Sequence, residues 1–305
     1  MSKLHWAALS TAARLGGRTV TRLLQHFGSL EAALGATEEE LRQIAGIGPA
    51  AARAIKSIDL AVFEVQIAAA AREGIQIVTW EDAGYPSLLL HSSDAPPVLY
   101  VRGALSPADS RAVAVVGTRS PGPDSADLAH QIAYELAARG WTIVSGLAIG
   151  IDTAAHQGAL RAGGRTLAVL GSGLRAIYPQ RNVPLAEAIM GSGALLAEVH
   201  PDAPITPQTL VARNRITSGL SRAVIVVQSE KDSGSLATAR RAWQQGRRVY
   251  AVLGSEGSGL DDLVRQGAMP LQPDQIDWDA LSKEIDGLEI RPPDTNAAED
   301  QLPLF

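Results

Sequence analysis

From Ala112 onward the sequence settles into a rhythm that leaves few folds open. Six apolar runs recur: "AVAVVG" (Ala112–Gly117), "TIVSG" (Thr142–Gly146), "TLAVLG" (Thr166–Gly171), "ALLAEV" (Ala194–Val199), "AVIVVQ" (Ala223–Gln228) and "RVYAVLG" (Arg248–Gly254). Amphipathic stretches such as "SADLAHQIAYELAARG" and "GSLATARRAWQQG" lie between them. A strand without polar alternation must be buried on both faces, so the pattern predicts a mostly parallel sheet covered by helices on both sides, a doubly wound α/β domain. Ligands of such sheets bind beyond the strand C-termini, near the point where strand order reverses. Each of these strands runs out into Gly, Ser or Thr, and the chemistry is expected in those loops.

At 305 residues the chain is long for one core, which rarely grows past roughly 250–300 residues. Leu9–Ile58 reads as short helices ("TVTRLLQHF", "EEELRQIA"), and the Pro-rich passage Pro96–Arg111 carries one short strand. The expected layout is a small all-α domain over 1–65, the sheet domain over 66–270, and an acidic linker or tail over 271–305 that contains "RPPDTNAAEDQ". Cysteine is absent, which removes disulfides, zinc–thiolate sites and thiol catalysis. No apolar run reaches the roughly 18 residues of a membrane span, and Met1–Thr19 lacks the apolar core of a signal peptide. A soluble, cytoplasmic protein is expected.

A formal net charge of −5 argues against a nucleic-acid partner only if charge is evenly spread. It is not. Ser255–Phe305 holds 12 acidic and 3 basic residues, whereas Arg111–Gly254 holds 15 basic and 9 acidic, a net of +6. The central block is basic.

The strand-end loops supply the candidate site. Gly117, Thr118 and Arg119 follow the first strand, offering close backbone approach, a hydroxyl and a guanidinium fork suited to a phosphodiester. Ser145 and Gly146 open "SGLAIGIDTAAHQGAL", where a helix starting after Gly150 has amides for an anion. Asp152 and His156 share one helical face there, but two ligands are too few for a metal, and capping is the expected role. Gly173 and Arg181 follow the third strand and are expected to join the same phosphate contact. Arg213, Asn214 and Arg215 read as opening a short helix before the fifth strand, both guanidiniums facing one anion together with the helix amides. Ser233 and Gly234 cap the helix after that strand. Four arginines, 119, 181, 213 and 215, are thus expected along one sheet edge, forming a groove for a chain of phosphates. Independently, Gly46 and Gly48 sit between two short helices with Pro49 at a favoured first helical position, the shape of a helix-hairpin-helix whose amides contact phosphate.

Two enzyme readings compete. Gly171-x-Gly173-x-x-Ala176 fits a permissive dinucleotide pattern, but Tyr178-Pro179 interrupts the helix that should come next, and Glu198 falls too late to hold a ribose. A P-loop is excluded, since none of the four lysines lies in such a loop. A nucleoside-monophosphate phosphoribohydrolase of the lysine-decarboxylase-like group uses a similar sheet; "DSGSLATARR" lacks that group's glycine run and its catalytic Glu. No cofactor and no metal are expected.

The pieces "VVGTRSPG", "SGLAIGIDTAAHQGAL", "TLAVLGSGLRAIYPQRN", "ARNRITSGLS", "SGSLATARRAWQQGR" and "GLDDLVRQGA", in this order, resemble the DNA-processing protein A (DprA/Smf) family over about residues 10–268. The resemblance implies an extended Rossmann-like fold behind a sterile-alpha-motif-like or helix-hairpin-helix domain. It further implies a non-enzymatic homodimer that binds single-stranded DNA and loads the RecA recombinase in natural transformation. Gly117-Thr118-Arg119 and Arg213-Asn214-Arg215 match the family's contact motifs, and Arg181 stands where a basic residue comes after Tyr-Pro. Two departures are visible: Leu210-Val211 replaces the usual Phe-Pro, and the sequence stops after the acidic stretch, where many members continue into a winged helix.

Overall fold

The computed structural model describes residues 3–12, 15–92, 94–231, 233–254 and 259–290. Among these residues β1 (Ile75–Thr79), β2 (Val98–Gly103), β3 (Ala112–Val116), β4 (Thr142–Ser145), β5 (Thr166–Leu170), β6 (Ala194–Ala197), β7 (Ala223–Val226), β8 (Arg248–Val252) and β9 (Met269–Leu271) form one sheet. Their spatial order is β1-β2-β6-β5-β4-β3-β7-β8-β9. From β6 to β9 all neighbours run parallel; β2 lies antiparallel to both β1 and β6. The chain winds outward from β3 to β6, then returns to β7 on the other side of β3. The switch point therefore lies between the C-terminal ends of β3 and β7.

The helices are α1 (Lys3–Ala12), α2 (Gly17–Phe27), α3 (Leu30–Gly35), α4 (Glu38–Arg42), α5 (Pro49–Lys56), α6 (Leu60–Arg72), α7 (Ser87–Leu90), α8 (Pro123–Ala138), α9 (Ile151–Arg161), α10 (Val183–Ser192), α11 (Pro207–Gly219), α12 (Gly234–Gln244), α13 (Gly259–Arg265) and α14 (Trp278–Asp286). Alternate strand residues serve opposite faces. Val113, Val115, Ile143 and Ile225 pack with Ile132 and Leu136 of α8, Ala155 of α9 and Ile285 of α14. Ala114, Leu167, Val224 and Val226 pack with Ile216 of α11, Leu236 of α12 and Leu263 of α13. A sheet of this composition is stable only with both coats in place.

The N-terminal helices do not keep a core to themselves. Trp6, Val20, Leu23, Leu41 and Ile55 share one apolar cluster with Ile75, Tyr100, Ala168 and Leu195 of the sheet. A division at residue 65 falls inside α6, whose Asp59 cap accepts from the amides of Ala61 and Val62. The hairpin between α4 and α5 forms as its residues demand. Thr37 and Glu40 make a reciprocal capping box, Gly46 takes φ +94°, and Gly48 caps a helix that starts at Pro49.

Residues 271–290 depart from the linker expected there. Asp277 caps α14 by accepting from Asp279 and Ala280, while Leu281 and Ile285 are buried against the sheet coat. The Trp141 indole donates to Ser282, the Tyr250 hydroxyl donates to Glu284, and Arg111 forks onto Asp286 at 2.6 and 2.9 Å. The acidic count hid the helix because its acids line the outer face and its spaced apolar residues face inward. The rest of the expected tail, 291–305, lies outside the described residues.

Candidate nucleic-acid interface

An open cleft of about 580 Å³ lies at the switch point. Its walls are the β3 loop (Gly117, Thr118, Arg119), the β4 loop (Gly146, Ala148, Asp152), α11 from Pro207 to Thr217, and the start of α12 at Gly234 and Ser235. The amide of Thr118 donates to the Gln228 carbonyl at 2.8 Å and seals the floor between β3 and β7. Arg119 is exposed at the mouth.

Arg213 forms the buried end. It is only 8% exposed, its Nη1 donates to the Val169 carbonyl, and its Nε has no partner among the described residues. Gly146 is what admits it, because a Cβ there would stand 1.7 Å from Nη1. The guanidinium thus lies against bare backbone at the end of β4. Burial pulls its pKa down, the nearby Asp152 pushes it back up, and the charge of Arg119 opposes its own. An arginine keeps its proton through such shifts.

Asp152 answers from the opposite wall. Its carboxylate accepts from the amides of Gly146 (3.1 Å) and Ala148 (3.3 Å). Burial drives its pKa upward, and Arg213 and those amides hold it back. The first amide of α9, at Ile151, donates to the Thr118 carbonyl. Of the amides expected to meet an anion after Gly150, that of Ile151 is therefore spent inside the protein, as are those of Gly146 and Ala148 before it. They fix a loop in which Leu147 sits at φ 59°, a conformation costly for any side chain. Asn182 completes the brace, donating to the Leu147 carbonyl at 2.8 Å and to the Thr153 hydroxyl at 2.9 Å.

His156, one turn beyond Asp152, is wholly buried. The Thr166 hydroxyl donates to the Ile143 carbonyl, so its oxygen must accept from His156 Nδ1 at 2.7 Å. That assigns the proton to Nδ1 and leaves Nε2 as an unpartnered acceptor. Burial and the Arg213 charge lower the His156 pKa to about 3. Among the described residues no group of three or more His, Asp or Glu is arranged for a metal, and no helix is long and apolar enough to cross a membrane.

The candidate residues thus separate. Gly117, Thr118, Arg119, Gly146, Arg213, Asn214 and Gly234 come together around the cleft. Arg215 does not. The Arg-Asn-Arg triplet sits in the body of α11, which starts at Pro207 under a Thr206 cap, so residues two apart point to different sides. Arg215 is paired with Glu198 at 2.5 Å; burial pulls its pKa down, and the charges of Glu198 and Asp94 outweigh that and raise it. Arg181 is exposed in the turn whose Asn182 braces Leu147, beside the cleft but not in its lining. Four guanidiniums on one rim reduce to two in the cleft and one beside it.

The remaining candidates have internal roles. The buried Ser145 hydroxyl donates to the Val115 carbonyl. Gly173 lets the β5 loop pack on the turn at Pro201, where a Cβ would stand 2.1 Å from the carbonyl oxygen. No α-helix begins after β5 until α10 at Val183, so the dinucleotide spacing lacks its helix. Ser233 caps α12 and shares its hydroxyl with Ser229 and Ser235. Gly46 and Gly48 stand in the α4–α5 hairpin, away from the cleft lining, where Arg22 donates to the Ala45 carbonyl. Leu210 and Val211, which stand where the family usually has Phe-Pro, line the cleft as well, and so does Thr217, which sequence reasoning does not pick out. Their positions on α11, about one turn before and after Arg213, are the available signal.

A doubly wound sheet with an open cleft at its switch point, lined by Arg119, Arg213 and Asp152, defines a protein of Rossmann-like fold with its candidate site where such sheets bind ligands. The sequence profile of the DNA recombination-mediator protein A family matches residues 76–279, and the chain belongs to that family. Protein Smf of Synechocystis is 37% identical over 87% of this chain and 69% of its own length. DNA processing protein DprA of Bacillus subtilis is 39% identical over 66% of this chain and 70% of its own. The crystal structure of DNA processing protein A from Streptococcus pneumoniae is similar at a TM-score of 0.77, with 32% identity over 89% of this chain and 95% of that one. The Helicobacter pylori DNA processing protein A, described for its single-stranded DNA binding mode, gives 0.61 and 30% identity over 68% of this chain and 97% of that one.

Proposed function

We propose that the cleft binds single-stranded DNA and that the protein, acting without catalysis as a homodimer in the cytoplasm, presents the strand to a RecA recombinase. The observation that carries the reading is the pairing of two cations of different depth. Arg119 is exposed at the mouth, and Arg213, 8% exposed, lines the same cleft behind it. A strand passing over Gly117 and Gly234 meets backbone and hydroxyls, groups that hold sugar-phosphate and read little sequence. The Helicobacter pylori relative, whose description concerns single-stranded DNA, supports this choice of ligand. Arg181 and the hairpin glycines Gly46 and Gly48 extend the proposed path beyond the cleft.

Fluorescence anisotropy with labelled oligo-dT tests the reading. Arg119→Glu should weaken binding at least tenfold with the melting temperature unchanged, because the side chain is exposed and unpaired. Arg213→Lys, which keeps charge but loses the fork, should weaken it several-fold. Native affinity in the Arg119→Glu protein would contradict the assignment. Release of adenine from AMP would point to catalysis instead.

A further inference from the structure

Of the five tyrosines, Tyr85, Tyr100 and Tyr250 are buried, while Tyr134 and Tyr178 are exposed, the latter at 54%. An exposed ring by itself means little, and its neighbours decide what it can do. Tyr134 stands on the outer face of α8 in line with the exposed Asp127, an acid that repels a polyanion. Tyr178 lies in the turn after β5, at the C-terminal pole of the sheet, three residues before the exposed Arg181. That is the pole of the cleft.

The turn is held on both sides of the ring. Upstream, the Arg175 amide donates to the Pro201 carbonyl at 3.0 Å, and its guanidinium is shared between Glu73 and Asp202. Ile177 packs against the apolar cluster that includes Leu170, Leu174 and Leu195. Downstream, the Asn182 amide donates to the Pro179 carbonyl, and its carboxamide donates to the Leu147 carbonyl and the Thr153 hydroxyl. Leu147 stands between Gly146 and Ala148, both of which line the cleft, so the turn abuts the wall made by the β4 loop. The four residues from Tyr178 to Asn182 reach at most about 14 Å. A strand leaving the cleft over this wall comes within reach of the ring. The cleft itself has cations and hydroxyls for phosphate but no aromatic side chain in its lining, and therefore no ring face to offer a base.

We infer that Tyr178 is a stacking platform for an unpaired nucleobase of the strand whose phosphates pass through the cleft, with Arg181 on an adjoining phosphate. The inference rests on the proposed binding of single-stranded DNA by the cleft. A ring on an anchored turn loses little freedom when a base settles on it. Every base has a face to stack, so the contact reads no sequence. In a duplex the faces are already covered by neighbouring base pairs, and exposing one costs unstacking. Tyr178 thus favours single strands over duplex, a distinction that phosphate contacts alone do not make.

The test measures anisotropy of labelled oligo-dT with the full chain, beside a strand of the same length made of abasic residues. Tyr178→Ala should weaken oligo-dT binding about tenfold, and Tyr178→Phe, which keeps the ring, should bind as the native protein does. The log–log salt slope of Tyr178→Ala should equal the native one, because the ring neutralises no phosphate, whereas Arg181→Ala should flatten it by about 0.7. On the abasic strand, native protein and Tyr178→Ala should bind equally. Native oligo-dT affinity in Tyr178→Ala would overturn the inference. So would an equal loss on the abasic strand, which would mean that the ring only shapes the turn. Loss of binding by Arg119→Glu beside native affinity in Tyr178→Ala removes the stacking and leaves the reading of the cleft in place. No oligo-dT binding by the native chain removes both.

Discussion

Arg213 shows how a cation can be built into a cleft floor. Its charge is too deep for water to solvate freely, and burial alone would disfavour it. Three features make it tolerable: the Val169 carbonyl on one nitrogen, the Asp152 carboxylate across the loop, and the missing Cβ of Gly146. Gly146→Ala is therefore a sharper probe than any change at Arg213 itself. The added methyl must displace the guanidinium, so oligo-dT affinity should fall about tenfold or more and stability by roughly 1–3 kcal/mol through overpacking. Differential scanning fluorimetry with anisotropy reads both, and unchanged affinity would mean that Arg213 does not reach the ligand. The sequence marks Gly146 and Arg213 as candidates but carries no trace of their contact. Residues so far apart in the chain meet only through the fold.

Between elements, α9 is held to β4 and β5 by buried polar groups as well as apolar packing. His156 bridges to Thr166, whose hydroxyl donates to the Ile143 carbonyl, and this relay tolerates only a neutral ring. With a folded pKa near 3 against an ordinary 6.5, the unfolded chain binds the extra proton between those values. Stability must rise with pH across that window and fall on acidification. Between pH 7 and 5 the native protein should lose about 2 kcal/mol more than His156→Asn in urea unfolding. Equal losses would mean that the ring is not buried neutral. At this scale the sequence is most legible where burial is continuous. The strands from β3 to β8 announce themselves by unbroken apolar runs. By contrast β9 is three residues long with a proline, and β1 alternates faces at an edge, so neither stands out. Acids on its outer face mask the helix at 278–286, and the helix bearing Arg-Asn-Arg begins at Pro207, well before the triplet. Thr206-Pro207 is the start signal there, a capping threonine before a first-turn proline.

For the molecule as a whole, the division of charge matters more than its sum. The basic block carries the cleft at the C-terminal ends of the strands, and Asp279, Glu284 and Asp286 of α14 lie at the opposite pole, where Arg111 before β3 and Arg139 before β4 hold Asp286 and Asp279. Under the proposed function, such a layout favours approach of a polyanion from the cleft end in spite of a net charge of −5. The four arginines do not share one rim, because Arg213 and Arg215, two apart on α11, diverge. Arg215 neutralises Glu198 and takes no part in the cleft. The salt dependence of oligo-dT binding is the decisive measurement, since it counts the phosphates that the cleft neutralises. In Arg119→Ala the log–log slope should become shallower by about 0.7, the loss of one phosphate contact. An unchanged slope in that variant would mean that no phosphate sits at the mouth of the cleft.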